Sequence, residues 1–173
     1  MVRRHRPLRL PPSRVSGVDQ PAPIDIRPAV AGDAEILCAL FLAARRAALP
    51  DLPRLHTDAE TQAWMERSVI HGGGTMVAVR AGRCVGFVAV AGAWVEHLYV
   101  APEAQGQGIG RRLLAVAKQQ SPSGLSLYVF QDNRRARRFY EQQGFMLVAE
   151  TDGAGNEEQW PDALYRWPSM GKP

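Results

Sequence analysis

Leu98-Tyr99-Val100-Ala101-Pro102-Glu103-Ala104-Gln105-Gly106-Gln107-Gly108-Ile109-Gly110-Arg111-Arg112 reads as the end of a strand running into a glycine-studded helix start. Gly106, Gly108 and Gly110 remove side chains where the first N–H groups of a helix have no carbonyl to bond. Free amides and the positive end of the helix dipole converge there, so the turn predicts an anion site. Three glycines at alternate positions give up helix stability, at up to ~1 kcal/mol each, which disfavours a turn without a ligand. The spacing narrows the choice of anion. A dinucleotide fingerprint would need its third glycine at position 111, which is Arg111, and no Gly-Lys-Ser/Thr phosphate loop follows.

What stands instead is Gln105-x-x-Gly108-x-Gly110 after a strand ending Leu98-Tyr99-Val100. Further on lies Asn133-x-x-Ala136-x-x-Phe139-Tyr140-x-x-x-Gly144-Phe145. Together, in this order, the two segments resemble the paired signatures of the GNAT superfamily of N-acetyltransferases, which bind acetyl-coenzyme A. The resemblance covers residues 24–167.

The resemblance implies an α/β (α+β) fold: a single domain with a mixed, mostly antiparallel sheet flanked by helices. A parallel, splayed strand pair lies at the cofactor site. It implies acetyl-CoA as co-substrate, with no metal, and transfer of the acetyl group to a primary amine by direct attack in a ternary complex. The alternative is a non-catalytic acyl-CoA-binding or sensor domain of the same fold. Amides from Gln105, Gly106, Gln107, Gly108, Ile109, Gly110 and Arg111 are expected to wrap the pyrophosphate. The strand Leu98, Tyr99, Val100 is expected to bulge, splay from the next strand and pair its backbone with the pantetheine arm. Asn133 is expected to bond that arm or to cap its own helix. Tyr140 matches the family tyrosine that protonates the leaving thiolate, and a phenol of pKa about 10 is protonated at neutral pH.

The base is read from the residues themselves. Glu96 lies two positions before Leu98, so strict alternation puts it on the same strand face, where a carboxylate can take the ammonium proton directly or through water. His97 has the better resting pKa but the opposite parity. The acceptor pocket of the family is built from two loops, here about residues 49–56 and 151–160. The second carries Glu157 and Glu158, which are either partners for a cationic amine or a solvated acidic turn. The acceptor is expected to be a small-molecule or peptide amine.

Composition bounds the rest. The chain has 173 residues, 46% hydrophobic and without an apolar run long enough to span a bilayer, so a single domain is expected, with no membrane partner. Residues 1–23 hold five of the 21 basic residues and one of the 17 acids. They are proline-rich and aperiodic, and read as a disordered basic tail before a domain over residues 24–170. The remaining charges balance, so no nucleic-acid partner is expected. Cys38 and Cys84 read as buried free thiols; a cytoplasmic location and a monomer or homodimer are expected. His71-Gly72-Gly73-Gly74 suggests an esterase oxyanion loop, but the chain has no Gly-x-Ser-x-Gly.

Periodicity predicts strands over 24–27, 75–80, 84–91, 94–100, 125–130, 145–150 and 163–167. Helices are predicted over 34–48, capped by Asp33 and buried through Ile36, Leu37, Leu40 and Phe41, then from a Thr57-x-x-Glu60 capping box toward Ile70, and over 109–120 and 133–143.

Overall fold

The computed structural model describes residues 22–168; residues 1–21 of the expected tail lie outside them. Seven strands form one sheet: β1 (Ile24–Pro28), β2 (Thr75–Arg80), β3 (Arg83–Ala91), β4 (Trp94–Val100), β5 (Gly124–Phe130), β6 (Met146–Glu150) and β7 (Asp162–Pro168). Their order is β1-β2-β3-β4-β5-β7-β6, antiparallel throughout except for the parallel contact of β4 with β5. Four α-helices accompany the sheet among the described residues: α1 (Ala34–Ala48), α2 (Asp58–Trp64), α3 (Ile109–Gln120) and α4 (Arg134–Gln142).

The local signals explain most of these boundaries. Thr57 caps α2 as expected: its hydroxyl accepts from the Glu60 N–H, and the Glu60 carboxylate accepts from the Thr57 N–H at 2.8 Å. The helix then widens into a π-type turn over Met65–Ile70, closed by the His71 N–H on the Glu66 carbonyl. Two details of α1 correct the reading from sequence. Ile36 is exposed, because the buried stripe runs through Leu37, Leu40, Phe41 and Ala44 at helical spacing. Asp33 does not cap α1. Its carboxylate instead grips Arg27 of β1 through two bonds of 2.8 and 2.9 Å and accepts from the Val30 N–H. The Arg27 guanidinium holds that carboxyl below the usual carboxylate range.

The core lies between sheet and helices. Phe41 of α1 packs edge-on against Tyr99 of β4 on one face. On the other, Val100 of β4 lies against the start of α3, where Ile109, Leu113 and Leu114 are fully buried. Burying such side chains contributes about 1.5–3 kcal/mol each.

Candidate active site

β4 and β5 are in register at one pair, Trp94 opposite Ser126, tied by the Ser126 N–H on the Ala93 carbonyl at 2.8 Å. Beyond that pair the strands separate and enclose a cleft of about 440 Å³. Along its β4 wall the ladder to β3 pairs Phe87 with Tyr99 and Val88 with Leu98, and the Ala101 N–H bonds the Val85 carbonyl. Alternation then turns the backbone groups of Tyr99 toward β3 and those of Leu98 and Val100 toward the open edge facing β5. The Val100 carbonyl there accepts from Gln105 Nε2 at 3.1 Å, which ties the glycine turn to the strand end.

A bulge in β4 corrects the parity argument for Glu96. Val90 pairs with Val95 and Ala89 with His97, leaving Glu96 as the extra residue. Val95, not Glu96, therefore shares the face of Leu98 and Val100. Glu96 still borders the cleft, but as an exposed residue that the bulge turns there. His97 and Tyr99 face α1 in an aromatic cluster: His97 stands edge-on to Trp64 at 5.1 Å and to Phe41 at 6.2 Å. Burial, helped by the charge of Arg45, pushes the His97 imidazole down to about 4, so it is neutral at physiological pH.

The glycine turn has the form the sequence predicts. Gly108 sits at φ +79° as the N-terminal residue bounding α3, and a Cβ built on Gly106 or Gly108 meets open space. The N–H groups of Gly108, Ile109, Gly110 and Arg111 have no acceptor among the described residues; the first helical bond is Arg112 N–H to the Gly108 carbonyl. Gln107 is held by Arg80 at the end of β2 and donates to the Glu103 carbonyl. Such a row of amides, uncrowded by side chains, fits a diphosphate. Arg112 is committed elsewhere, donating to the Ile24 carbonyl at 2.8 Å, whereas Arg111 is exposed.

α4 supplies the opposite wall. Asn133 caps it, its Oδ1 accepting from the Ala136 N–H at 3.1 Å, and also borders the cleft. Tyr140 is 8% exposed, packed edge-on between Phe139 and Phe145, and borders the same cleft. Burial pushes its phenol well above the ordinary value, with Tyr99 adding to the rise, so the hydroxyl keeps its proton.

The acceptor end differs from expectation. Glu158 is paired with Arg45 of α1 at 2.5 Å, and Glu157 meets His56 Nε2 at 2.8 Å. Glu158 thus ties the loop between β6 and β7 to α1, and Glu157 ties it to the connection before α2. Arg45 is further sandwiched between the rings of Phe41 and Phe130. A site residue without a sequence signal is Asp162, buried at the start of β7 and bordering the cleft. It lies 66 positions from Glu96, a difference in residue number that no local pattern bridges.

Residues 41–145 match the acetyltransferase (GNAT) family. The chain belongs to that family. It is 38% identical over 89 residues to peptidyl-lysine N-acetyltransferase YiaC of Escherichia coli (strain K12), covering 50% of this chain and 58% of that protein. It is 34% identical over 83 residues to peptidyl-lysine N-acetyltransferase YjaB of Salmonella typhimurium, covering 47% and 57%. The aligned part thus spans somewhat over half the length of these relatives. Among solved structures, the apo form of YjaB from Escherichia coli superposes with a TM-score of 0.69 at 25% identity, over 86% of this chain and 99% of that one. The PaiA N-acetyltransferase of Thermoplasma acidophilum, solved with coenzyme A, shares the fold with a TM-score of 0.65 at 19% identity, over 84% and 99%. No helix among the described residues is long and apolar enough to cross a membrane.

Proposed function

We propose that this chain is an acetyl-CoA-dependent N-acetyltransferase that passes the acetyl group directly to a primary amine in a ternary complex. The observation that carries the reading is the single-pair contact of β4 with β5, which opens a cleft bordered by Leu98, Tyr99, Asn133 and the buried phenol of Tyr140, on the strand that leads into the row of unpaired amides. The amides from Gly106 to Arg111 hold the pyrophosphate. The open-edge groups of Leu98 and the Val100 N–H take the pantetheine arm as an added strand, and one of these amides polarises the thioester carbonyl. Tyr99 contributes through its side chain, as a wall on the α1 face.

The amine must reach the carbonyl unprotonated. Glu96, exposed on its bulge, takes the ammonium proton directly or through water; His97, held neutral at about 4, is too weakly basic for the task. Attack forms the C–N bond, the C–S bond breaks, and Tyr140 gives its proton to the departing sulfur. The raised phenol does not forbid this, because the desolvation that disfavours a phenolate also disfavours a thiolate in the same cleft. Two of the relatives are named peptidyl-lysine N-acetyltransferases, so a lysine side-chain amine is the first acceptor to try.

The test is release of free thiol from acetyl-CoA across a panel of amines, beginning with lysine peptides. Amine-dependent thiol release with an N-acetylated product is the expected result. Tight acetyl-CoA binding without turnover on the panel would leave an acyl-CoA-binding domain. A stable acetylated protein would replace direct transfer by a covalent route.

A further inference from the structure

The cleft contains a carboxylate that no cationic side chain among the described residues balances. Asp162 is 8% exposed and opens β7 directly opposite Phe130 of β5. Its two oxygens accept from Thr151 Oγ1 at 2.5 Å and Asn156 Nδ2 at 3.0 Å. Both donors are neutral, and no Lys, Arg or His among the described residues makes an ion pair with it. Burying a carboxylate without a counter-charge is expensive, and neutral donors repay only part of that cost. A cation entering the cleft would repay the rest.

Two alternatives are weaker. The neighbouring Glu158 already carries its own cation, Arg45, and Glu157 is bonded to His56 on the exposed side of the loop, so neither stands as a buried carboxylate free for the cleft. Nor is the Asp162 carboxylate needed merely to pin the loop between β6 and β7. Gln131 Nε2 donates to the carbonyls of both Thr151 and Asp162, at 2.8 and 2.9 Å, and the Gln131 N–H bonds the Pro161 carbonyl. The loop is thus closed by backbone contacts independent of that side chain.

Resting on the acetyl-transfer reading, we propose that Asp162 is the specificity-determining carboxylate that recognises the acceptor as a primary alkylammonium ion in the cleft it shares with Tyr140. The protonated amine docks against Asp162, its charge satisfied there, and gives up its proton toward Glu96 or water as it moves onto the thioester. An acceptor class follows: alkylamines that are cationic in solution, in preference to neutral arylamines or alcohols of the same shape.

The experiment uses the full chain loaded with coenzyme A and two probes followed by calorimetry. One is a lysine blocked as its N-acetyl amide; the other is its isostere with a hydroxyl in place of the ammonium. Wild type is expected to prefer the ammonium probe. Asp162→Asn should weaken that probe by about tenfold or more while shifting the alcohol less than about threefold and leaving coenzyme A affinity unchanged. Thr151→Val removes a neutral donor and keeps the charge, so it should retain the ammonium preference even if Asp162→Asn does not fold. No preference in wild type, its loss in Thr151→Val, or equal losses of both probes in Asp162→Asn would overturn the assignment. Thiol release measured in parallel separates the two claims. Ammonium-selective binding without turnover sinks acetyl transfer and keeps Asp162, whereas turnover with an unchanged KM in Asp162→Asn does the reverse.

Discussion

Gly110 of the glycine turn faces Phe139 of α4: a Cβ built on Gly110 would lie 3.4 Å from Phe139 Cζ and 3.7 Å from Val100 Cγ2. The two sequence motifs therefore interlock. The first places the start of α3 beside the ring that the second supplies, with Tyr140 the next residue along α4. A Cβ on Gly110 would meet that ring at ordinary contact distance, while one on Gly106 or Gly108 would face open space.

That division predicts opposite outcomes for two glycines. Gly110 has helical backbone and an ordinary contact awaiting one methyl, so Gly110→Ala should keep or raise stability, by up to ~1 kcal/mol, with coenzyme A affinity nearly unchanged. Gly108 stands at φ +79°, so Gly108→Val strains the backbone and fills the space over the amides. Its acetyl-CoA affinity should fall at least tenfold, roughly 1.4 kcal/mol or more. Calorimetry on both folded variants decides; equal affinities would mean that the turn does not hold the diphosphate.

Tyr140→Phe keeps the ring between Phe139 and Phe145 and removes only the hydroxyl. If that hydroxyl is the general acid, acetyl-CoA binding should stay within a few fold while kcat falls by roughly 10²–10⁴. A contact role alone would appear as weaker binding, on the order of 1 kcal/mol, with kcat preserved. Near-native kcat leaves solvent to protonate the thiolate.

His97 makes folding stability depend on pH. Its imidazole sits at about 4 in the fold against an ordinary 6.5, so the unfolded chain binds the proton more readily. The contribution of the neutral ring is complete above pH 6.5 and disappears as pH falls toward 4, about 3 kcal/mol in all. Urea unfolding of wild type and His97→Phe at about pH 7.5 and pH 4.5 isolates this from the carboxylates. Wild type should lose more stability across that interval; parallel losses would place His97 in water.

The Arg45–Glu158 pair bridges α1 and the loop between β6 and β7 with both side chains mostly buried. Glu158→Gln leaves the guanidinium without its anion between Phe41 and Phe130, so stability should drop by about 1–3 kcal/mol. Because Glu158 is already neutralised, the KM for a cationic amine should change less than in Asp162→Asn. A large KM rise in Glu158→Gln with unchanged Tm would reassign the acceptor charge to Glu158.

The amino-acid sequence by itself determined the elements. The capping box at Thr57, the stripe Leu37, Leu40, Phe41, and the glycine turn act over a few residues, where propensity and hydrogen-bond geometry are decided locally. Motif spacing also located Tyr140 and the amide row. Only the tertiary structure decided the rest. The insertion of β7 between β5 and β6 brings Asp162 beside Phe130, and the bulge at Glu96 overrides strand parity. The clasp of Arg45 on Glu158 joins residues 113 positions apart and removes an acid that looked free. Such pairings follow from which surfaces the packed sheet places together. Burial then sets the electrostatics of His97, neutralising its ring through desolvation that no stretch of sequence carries alone.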